Sequence, residues 1–243
     1  MLVKEFPEDS ICQKIAAEMN LSETAFVKHL DSNRFHIRWF TPGAEVKLCG
    51  HATLASAHII CCERLVTGDK IVFESLSGEL TVHSSSSSNY SLEFPLSTVE
   101  RNLNVDYLKS IFGDTIRAAV QIDDDIVIEM LDEKSVKEYA PKFEDLVKLD
   151  CRGIAVTARA TGSYDFVSRF FAPRLGVNED PVTGSAHCKL AYYWQKLLNK
   201  SRFVAYQASS RGGEIGITIV DDRVHLSGKA VLIFTGNLHV SLG

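Results

Sequence analysis

Arg38-Trp39-Phe40-Thr41-Pro42 and Arg169-Phe170-Phe171-Ala172-Pro173 carry one pattern twice, at an offset of 131 residues. Two further matches keep the same order. Gly50-His51-Ala52 answers to Gly184-Ser185-Ala186 at an offset of 134, and Gly78-Glu79-Leu80 to Gly213-Glu214-Ile215 at 135. Chance supplies one such match; three in order at a nearly constant offset mark two copies of one strand-loop-helix-strand unit. The expectation is an α/β (α+β) chain of two pseudo-symmetric half-domains, residues 1–98 and 99–243, with a linker at Leu96 to Val105. The last strand closes the second sheet or packs back on the first half.

Outward from the repeat, Asp9 to Glu18 reads as a short amphipathic helix with Ile11, Ile15 and Met19 at four-residue spacing. Asp9 or Ser10 is placed to cap it, and Asn20 suits its exit. Thr24 to Leu30 and Phe35 to Phe40 flank the turn-prone Asp31-Ser32-Asn33 and predict a hairpin. The small and apolar residues from Gly50 to Leu65 predict a helix buried over most of its surface. Strands are expected at Lys70 to Glu74 and Glu79 to His83, and the serine run Ser84 to Ser88 reads as an exposed loop. Further on come a helix at Val105 to Phe112 and a hairpin turn at Asp123-Asp124-Asp125. Strands at Gly216 to Val220, Arg223 to Leu226 and Ala230 to Leu238 end the chain.

Composition excludes several classes of function. Of 243 residues, 45% are hydrophobic and 23% charged, ordinary usage for a soluble globular protein. No apolar run approaches the ~20 residues of a membrane-spanning helix. Met1 to Asp9 lacks a basic segment followed by an apolar one, so a cytoplasmic protein with reduced thiols is expected. The six cysteines show no zinc-type spacing, and no metal is expected. A net charge of −5 with scattered Lys and Arg argues against nucleic acid as a partner.

In each copy of the repeat a glycine opens an apolar helix, where the first backbone N–H groups have no intrahelical partner. With the positive end of the helix macrodipole, such starts hold an anion, and two converging on one cleft would bind a carboxylate. A small acidic molecule is the expected ligand. A single glycine is better read as a tight turn. The pair is read as functional because Cys49 and His51 flank the first, and Asp180, Thr183 and Ser185 the second.

Four stretches then resemble the PhzF family: Ser22-Glu23-Thr24-Ala25-Phe26, Leu48-Cys49-Gly50-His51-Ala52-Thr53, the run from Glu179-Asp180-Pro181-Val182-Thr183-Gly184-Ser185 to Ala186-His187, and Gln207-Ala208-Ser209-Ser210-Arg211-Gly212-Gly213-Glu214. The likeness runs from the first helix to the carboxyl end, and the animal phenazine biosynthesis-like domain proteins look nearest. It implies a diaminopimelate-epimerase-like fold, in which each half is a curled, mainly antiparallel sheet around a central helix and the active site lies between the halves. It also implies a cofactor-independent isomerase. Glu23 would be the catalytic acid/base, with His51, Asp180 and Ser185 completing the catalytic set. Ser22, Cys49, Gly50, Thr183, Gly184, Gly212 and Gly213 would line the substrate. Efficient proton shuttling favours a carboxyl pKa raised toward neutrality, so Glu23 is expected in a partly closed, weakly polar cleft.

A two-base thiol racemase needs a second cysteine, and the repeat sets Thr183 opposite Cys49. Cys188, Cys61 and Cys62 read as helix packing, as do His58 and His187. Arg211-Gly212-Gly213 lacks the company of a phosphate loop and reads as a tight turn. A catalytically impaired binding or scaffold protein would keep the fold and the cleft. Family members usually begin with a β-strand and an asparagine-containing turn ahead of the segment resembling Met1 to Phe6. Their absence would leave an exposed sheet edge, one route to a homodimer.

Overall fold

In the computed structural model, which describes residues 1–85 and 88–239, the two copies of the repeat fall in different units of the chain. The first unit is Met1–Glu93 with Ser227–Gly243, the second Phe94–Leu226.

The first unit begins with β1 (Leu2–Val3), α1 (Asp9–Met19), β2 (Thr24–Asp31), β3 (Arg34–Phe40) and β4 (Glu45–Val46). It continues with α2 (Gly50–Cys62), β5 (Lys70–Ser75), β6 (Gly78–Ser85) and β7 (Asn89–Pro95), whose last two residues are counted with the second unit. The expected hairpin is β2–β3, in register at Thr24↔Phe40 and His29↔Phe35. Along β3, Phe35, Ile37 and Trp39 are buried and alternate with Arg34, His36 and Arg38, the period of two that a pleated strand imposes. β5 joins β3 in parallel, and β6 and β7 follow antiparallel. α1 contributes Cys12, Ile15 and Ala16 to a cluster with Phe26 and Phe40, whose rings meet edge to face at 5.5 Å. Of the Ile11-Ile15-Met19 spacing, Ile15 is buried and Ile11 packs against this cluster, while Met19 at the helix end is exposed. The helix starts from Glu8 with no side-chain cap, Asp9 pairing instead with Arg38 at 2.9 Å.

The second unit holds β8 (Glu100–Asn102), α3 (Val105–Phe112), β9 (Ile116–Ile122), β10 (Asp125–Met130), α4 (Glu133–Glu138) and α5 (Phe143–Leu146). After them come β11 (Gly153–Arg159), β12 (Phe166–Ala172), a 3-10 turn at Pro173–Leu175, β13 (Val177–Asp180), α6 (Gly184–Leu198), β14 (Arg202–Gln207), β15 (Gly213–Val220) and the start of β16 (Arg223–Lys229), whose residues from Ser227 are counted with the first unit. β10–β11 and β12–β14 are parallel; β8–β9, β9–β10, β11–β12 and β14–β15 are antiparallel. Its core joins Leu108 and Phe112 of α3 to Ile126, Ile128, Val156 and Phe171 of the sheet.

The repeat is exact in topology. β4 pairs antiparallel with β3, as β13 does with β12, and after the helices β5 runs parallel to β3 as β14 does to β12. Arg38 grips Glu45 through Nε at 2.7 Å and Nη2 at 2.8 Å; Arg169 grips Glu179 through Nε at 2.7 Å and Nη2 at 3.0 Å. These matching bidentate forks close the loop that leads to each helix start.

Three expectations need correction. Leu96 to Val105 is no free linker: it contains β8, and Leu103 N–H donates to Ala119 O at 3.0 Å, because the segment can satisfy its backbone groups on β9. Ala230 to Leu238 forms no strand. Val231, Ile233 and Phe234 in it are exposed, and β-propensity acts through cross-strand neighbours that an exposed run does not have. Ser84 and Ser85 end β6 rather than opening a loop, since Ser84 pairs with Tyr90 and Ser85 with Asn89; Ser86 and Ser87 lie outside the described residues. Among the described residues no helix is long and apolar enough to cross a membrane.

Candidate active site

In the first unit the chain leaves α1 through Asn20 in the left-handed conformation and delivers Ser22 and Glu23 just ahead of β2. The loop after β4 delivers Cys49 as the N-cap of α2, followed by Gly50 and His51 in its first turn. Glu23 Oε2 lies 3.0 Å from His51 Nε2, and Ser22 Oγ lies 3.3 Å from the same nitrogen. Cys49 Sγ is 3.7 Å from His51 Nδ1 and 3.8 Å from Nε2. All five predicted residues of this half thus meet at one helix start. Cys49 supplies no side-chain cap, and the first intrahelical bond runs from Thr53 N–H to Cys49 O at 3.2 Å, so the earlier amides of α2 point out of the helix without that ladder.

The electrostatics depart from the expectation for Glu23. Burial alone pushes its carboxyl up, but the hydrogen bond and charge of His51, helped by Ser22 and Cys49, win, and its pKa is lowered. For His51, burial pulls down and the neighbouring Cys49 and Glu23 push up, leaving it well above the ordinary imidazole value. Burial holds the Cys49 thiol up, opposed by His51. Both shifts favour a carboxylate beside a protonated imidazole.

The pair stabilises the fold within a definite pH window. Glu23, depressed, contributes above its unfolded value of about 4.3, a contribution lost as pH falls through its folded pKa. His51, elevated, contributes fully below its unfolded value of about 6.5, and this is lost as pH rises through its folded pKa. In Glu23→Gln, an NMR titration of the His51 ring is expected to place its pKa below that of the parent protein, with Cys49 still raising it. An unchanged titration would remove Glu23 as its partner.

In the second unit Thr183 is the N-cap of α6, the position Cys49 holds on α2. Its hydroxyl donates to Asp180 Oδ2, and its N–H donates to Gln207 Oε1 at 2.8 Å. Gln207 Nε2 donates to Asp180 O at 2.6 Å and to Thr183 Oγ1 at 3.2 Å. Gly212 has φ of 72°, and a Cβ on Gly213 would come within 2.4 Å of Val182, so these glycines let the β14–β15 turn close on the helix-start loop. Ser185 Oγ accepts from Arg152 Nη2 at 3.1 Å. Asp180, Thr183, Gly184 and Ser185 are thus assembled locally, with Gly213 against the same loop.

The sequence reading gave no role to the residues that hold this loop, although Gln207 stands in one of the family-like stretches. Gln207 is fully buried with three bonds to it. Gln207→Leu, which orphans the Thr183 N–H and the Asp180 carbonyl, is expected to cost about 2 kcal/mol in urea unfolding. Arg152 and Lys189 both converge on Asp125. The available signal was Lys189 itself, a lysine on a helix otherwise read as buried, which demands a carboxylate partner. His187 is completely buried between Thr183 O at 2.7 Å and Ser168 Oγ at 3.2 Å, and burial lowers its pKa to about 4, so it is a neutral packing residue. An open depression of about 620 Å³, lined in part by Asp124, Cys151, Arg152 and Arg174, contains none of the predicted site residues. Both its arginines are already paired with aspartates.

The profile of the phenazine biosynthesis-like protein family (PhzC-PhzF) matches residues 4–236. The chain belongs to this family. A relative from Halalkalibacterium halodurans, named an uncharacterized isomerase, is 46% identical over 95% of this chain and 88% of its own. Phenazine biosynthesis-like domain-containing protein 1 of Mus musculus is 38% identical over 98% of this chain and 91% of its own. The bacterial relative is thus more similar than this animal one, contrary to the reading from motifs. The crystal structure of a PhzF family protein from Enterococcus faecalis superimposes with a TM-score of 0.91 at 38% identity, covering 98% of this chain and 91% of that one.

Proposed function

We propose that this PhzF family member is a cofactor-independent isomerase that moves a proton between carbons of a small carboxylate-bearing substrate. The observation that carries the proposal is the Glu23 carboxylate held 3.0 Å from the His51 ring at an uncapped helix start. Because Glu23 rests ionised, it acts first as a base: its carboxylate takes a proton from carbon, and the electron pair left behind delocalises toward the substrate carboxylate. The helix-start amides and the protonated His51 stabilise that charge, and Glu23 returns the proton to a different carbon. Asp180, Ser185, Thr183, Gly184, Gly212 and Gly213 serve substrate recognition in this reading. The names of the bacterial relatives support isomerase chemistry. Six free cysteines suit the reducing cytoplasm as its location.

The test is incubation with a panel of cyclic and acyclic unsaturated acids in deuterated water. Carbon-bound deuterium, read by mass spectrometry, is the expected result. Tight binding of acids with no exchange across the panel would instead make the protein a binding or scaffold form of the fold.

A further inference from the structure

Glu23, Cys49 and His51 each offer one donor atom, and these oxygen, sulfur and nitrogen atoms lie within 4.8 Å of one another. In a tetrahedral zinc site with bonds of about 2.0–2.3 Å, neighbouring donors stand about 3.3–3.7 Å apart. The Glu23–His51 separation of 3.0 Å and the Cys49–His51 separations of 3.7 and 3.8 Å fall close to those edges, within reach of small side-chain rotations. A second observation points to a ligand. Glu23 Oε2 is buried, and its 3.0 Å approach to His51 Nε2 falls short of full hydrogen-bond geometry, so the contact with the ring leaves this oxygen incompletely satisfied. A cation would satisfy it. A thiolate, an imidazole and a carboxylate together form a borderline-soft set that selects zinc over magnesium or calcium, and three protein donors leave a fourth position open. The set escapes motif reading because Glu23 comes from the loop before β2, while Cys49 and His51 come from the start of α2.

We propose that this trio is an inhibitory zinc-binding site. Zn²⁺ bound by the Cys49 thiolate, one His51 nitrogen and the Glu23 carboxylate occupies the oxygen that would accept the substrate proton and displaces the proton from His51. Zinc binding stands independently of the isomerase reading; its inhibitory consequence rests on that reading.

The test uses the full chain, freed of metal by a chelator and kept reduced, with Co²⁺ as the spectroscopic probe. One equivalent of cobalt is expected to raise a thiolate-to-cobalt charge-transfer band in the near ultraviolet and the intense visible bands of four-coordinate cobalt, and Zn²⁺ to abolish both. Cys49→Ser loses the charge-transfer band. Cys62→Ser keeps it, although Cys62 Sγ lies 3.6 Å from His58 Nε2 and forms the rival thiol–imidazole pair. Glu23→Gln, which leaves the thiol in place, weakens cobalt binding at least about tenfold. Absence of the band, its survival in Cys49→Ser, its loss in Cys62→Ser, or unchanged affinity in Glu23→Gln would each overturn the site. Zinc is then added to the deuterium-exchange assay, where one equivalent should stop exchange. Exchange undiminished by bound zinc overturns the inhibition, whereas a cobalt site in a protein that exchanges no acid at all overturns only the isomerase reading.

Discussion

Replacing Glu23 with Gln is expected to lower solvent-deuterium incorporation into a reactive acid by at least about 100-fold while leaving the fold intact. A positioned acid/base group contributes about 10²–10⁴-fold to proton transfer, and an amide of the same shape can neither take nor return the proton. Ser22 and His51 remain to hold the residue in place, so the loss reports chemistry rather than collapse. The depressed carboxyl pKa adds a direction to the argument. The base form dominates at neutral pH, so exchange should fade as pH drops through the lowered Glu23 pKa, and on the alkaline side as His51 loses its proton above its raised one. A single mass-spectrometric time course on the parent and variant decides the matter, and normal exchange by Glu23→Gln would remove Glu23 from the mechanism.

Asp125→Ala should cost about 3–5 kcal/mol of stability, read as a lower urea midpoint, the usual penalty for removing one partner of a buried ion pair. Asp125 is fully buried, accepts from Lys189 Nζ at 2.7 Å, and also accepts from Arg152. Burial pushes its carboxyl up even with both cations opposing. Without it, Lys189, itself buried, keeps only the half-exposed Asp124, and Arg152 loses its shortest anchor while still bonded to Ser185. The damage therefore reaches the start of α6. Asp150→Ala, which breaks only the exposed pair with Arg174, should leave the midpoint almost unchanged. Equal effects of the two substitutions would show that the buried network does not hold this unit together.

The repeat, the hairpin β2–β3 and helices α1, α2 and α3 were legible because their signals are local: hydrophobic period, turn residues and a glycine at a helix start. The Arg38–Glu45 and Arg169–Glu179 forks were legible only by half, since the arginines stand in the repeated phrase and the glutamates follow after loops of different length. The closing run Ala230 to Leu238 misled because a β-prone sequence becomes a strand only where another strand's backbone is free to receive it.

By itself the sequence determined that two like units exist, where each central helix begins and which residues flank each start along the chain, because order and spacing carry that information. Tertiary structure alone decided how those residues are charged. The 3.0 Å approach of Glu23 to His51 outweighs the burial expected to raise the carboxyl, while Cys49 and then Glu23 raise the ring against its own burial. It alone brought Glu23 and Cys49 to a shared histidine and set Asp125 between Lys189 and Arg152. A pKa or a ligand set depends on separations of a few ångströms between residues far apart in sequence, and composition and periodicity do not encode those separations.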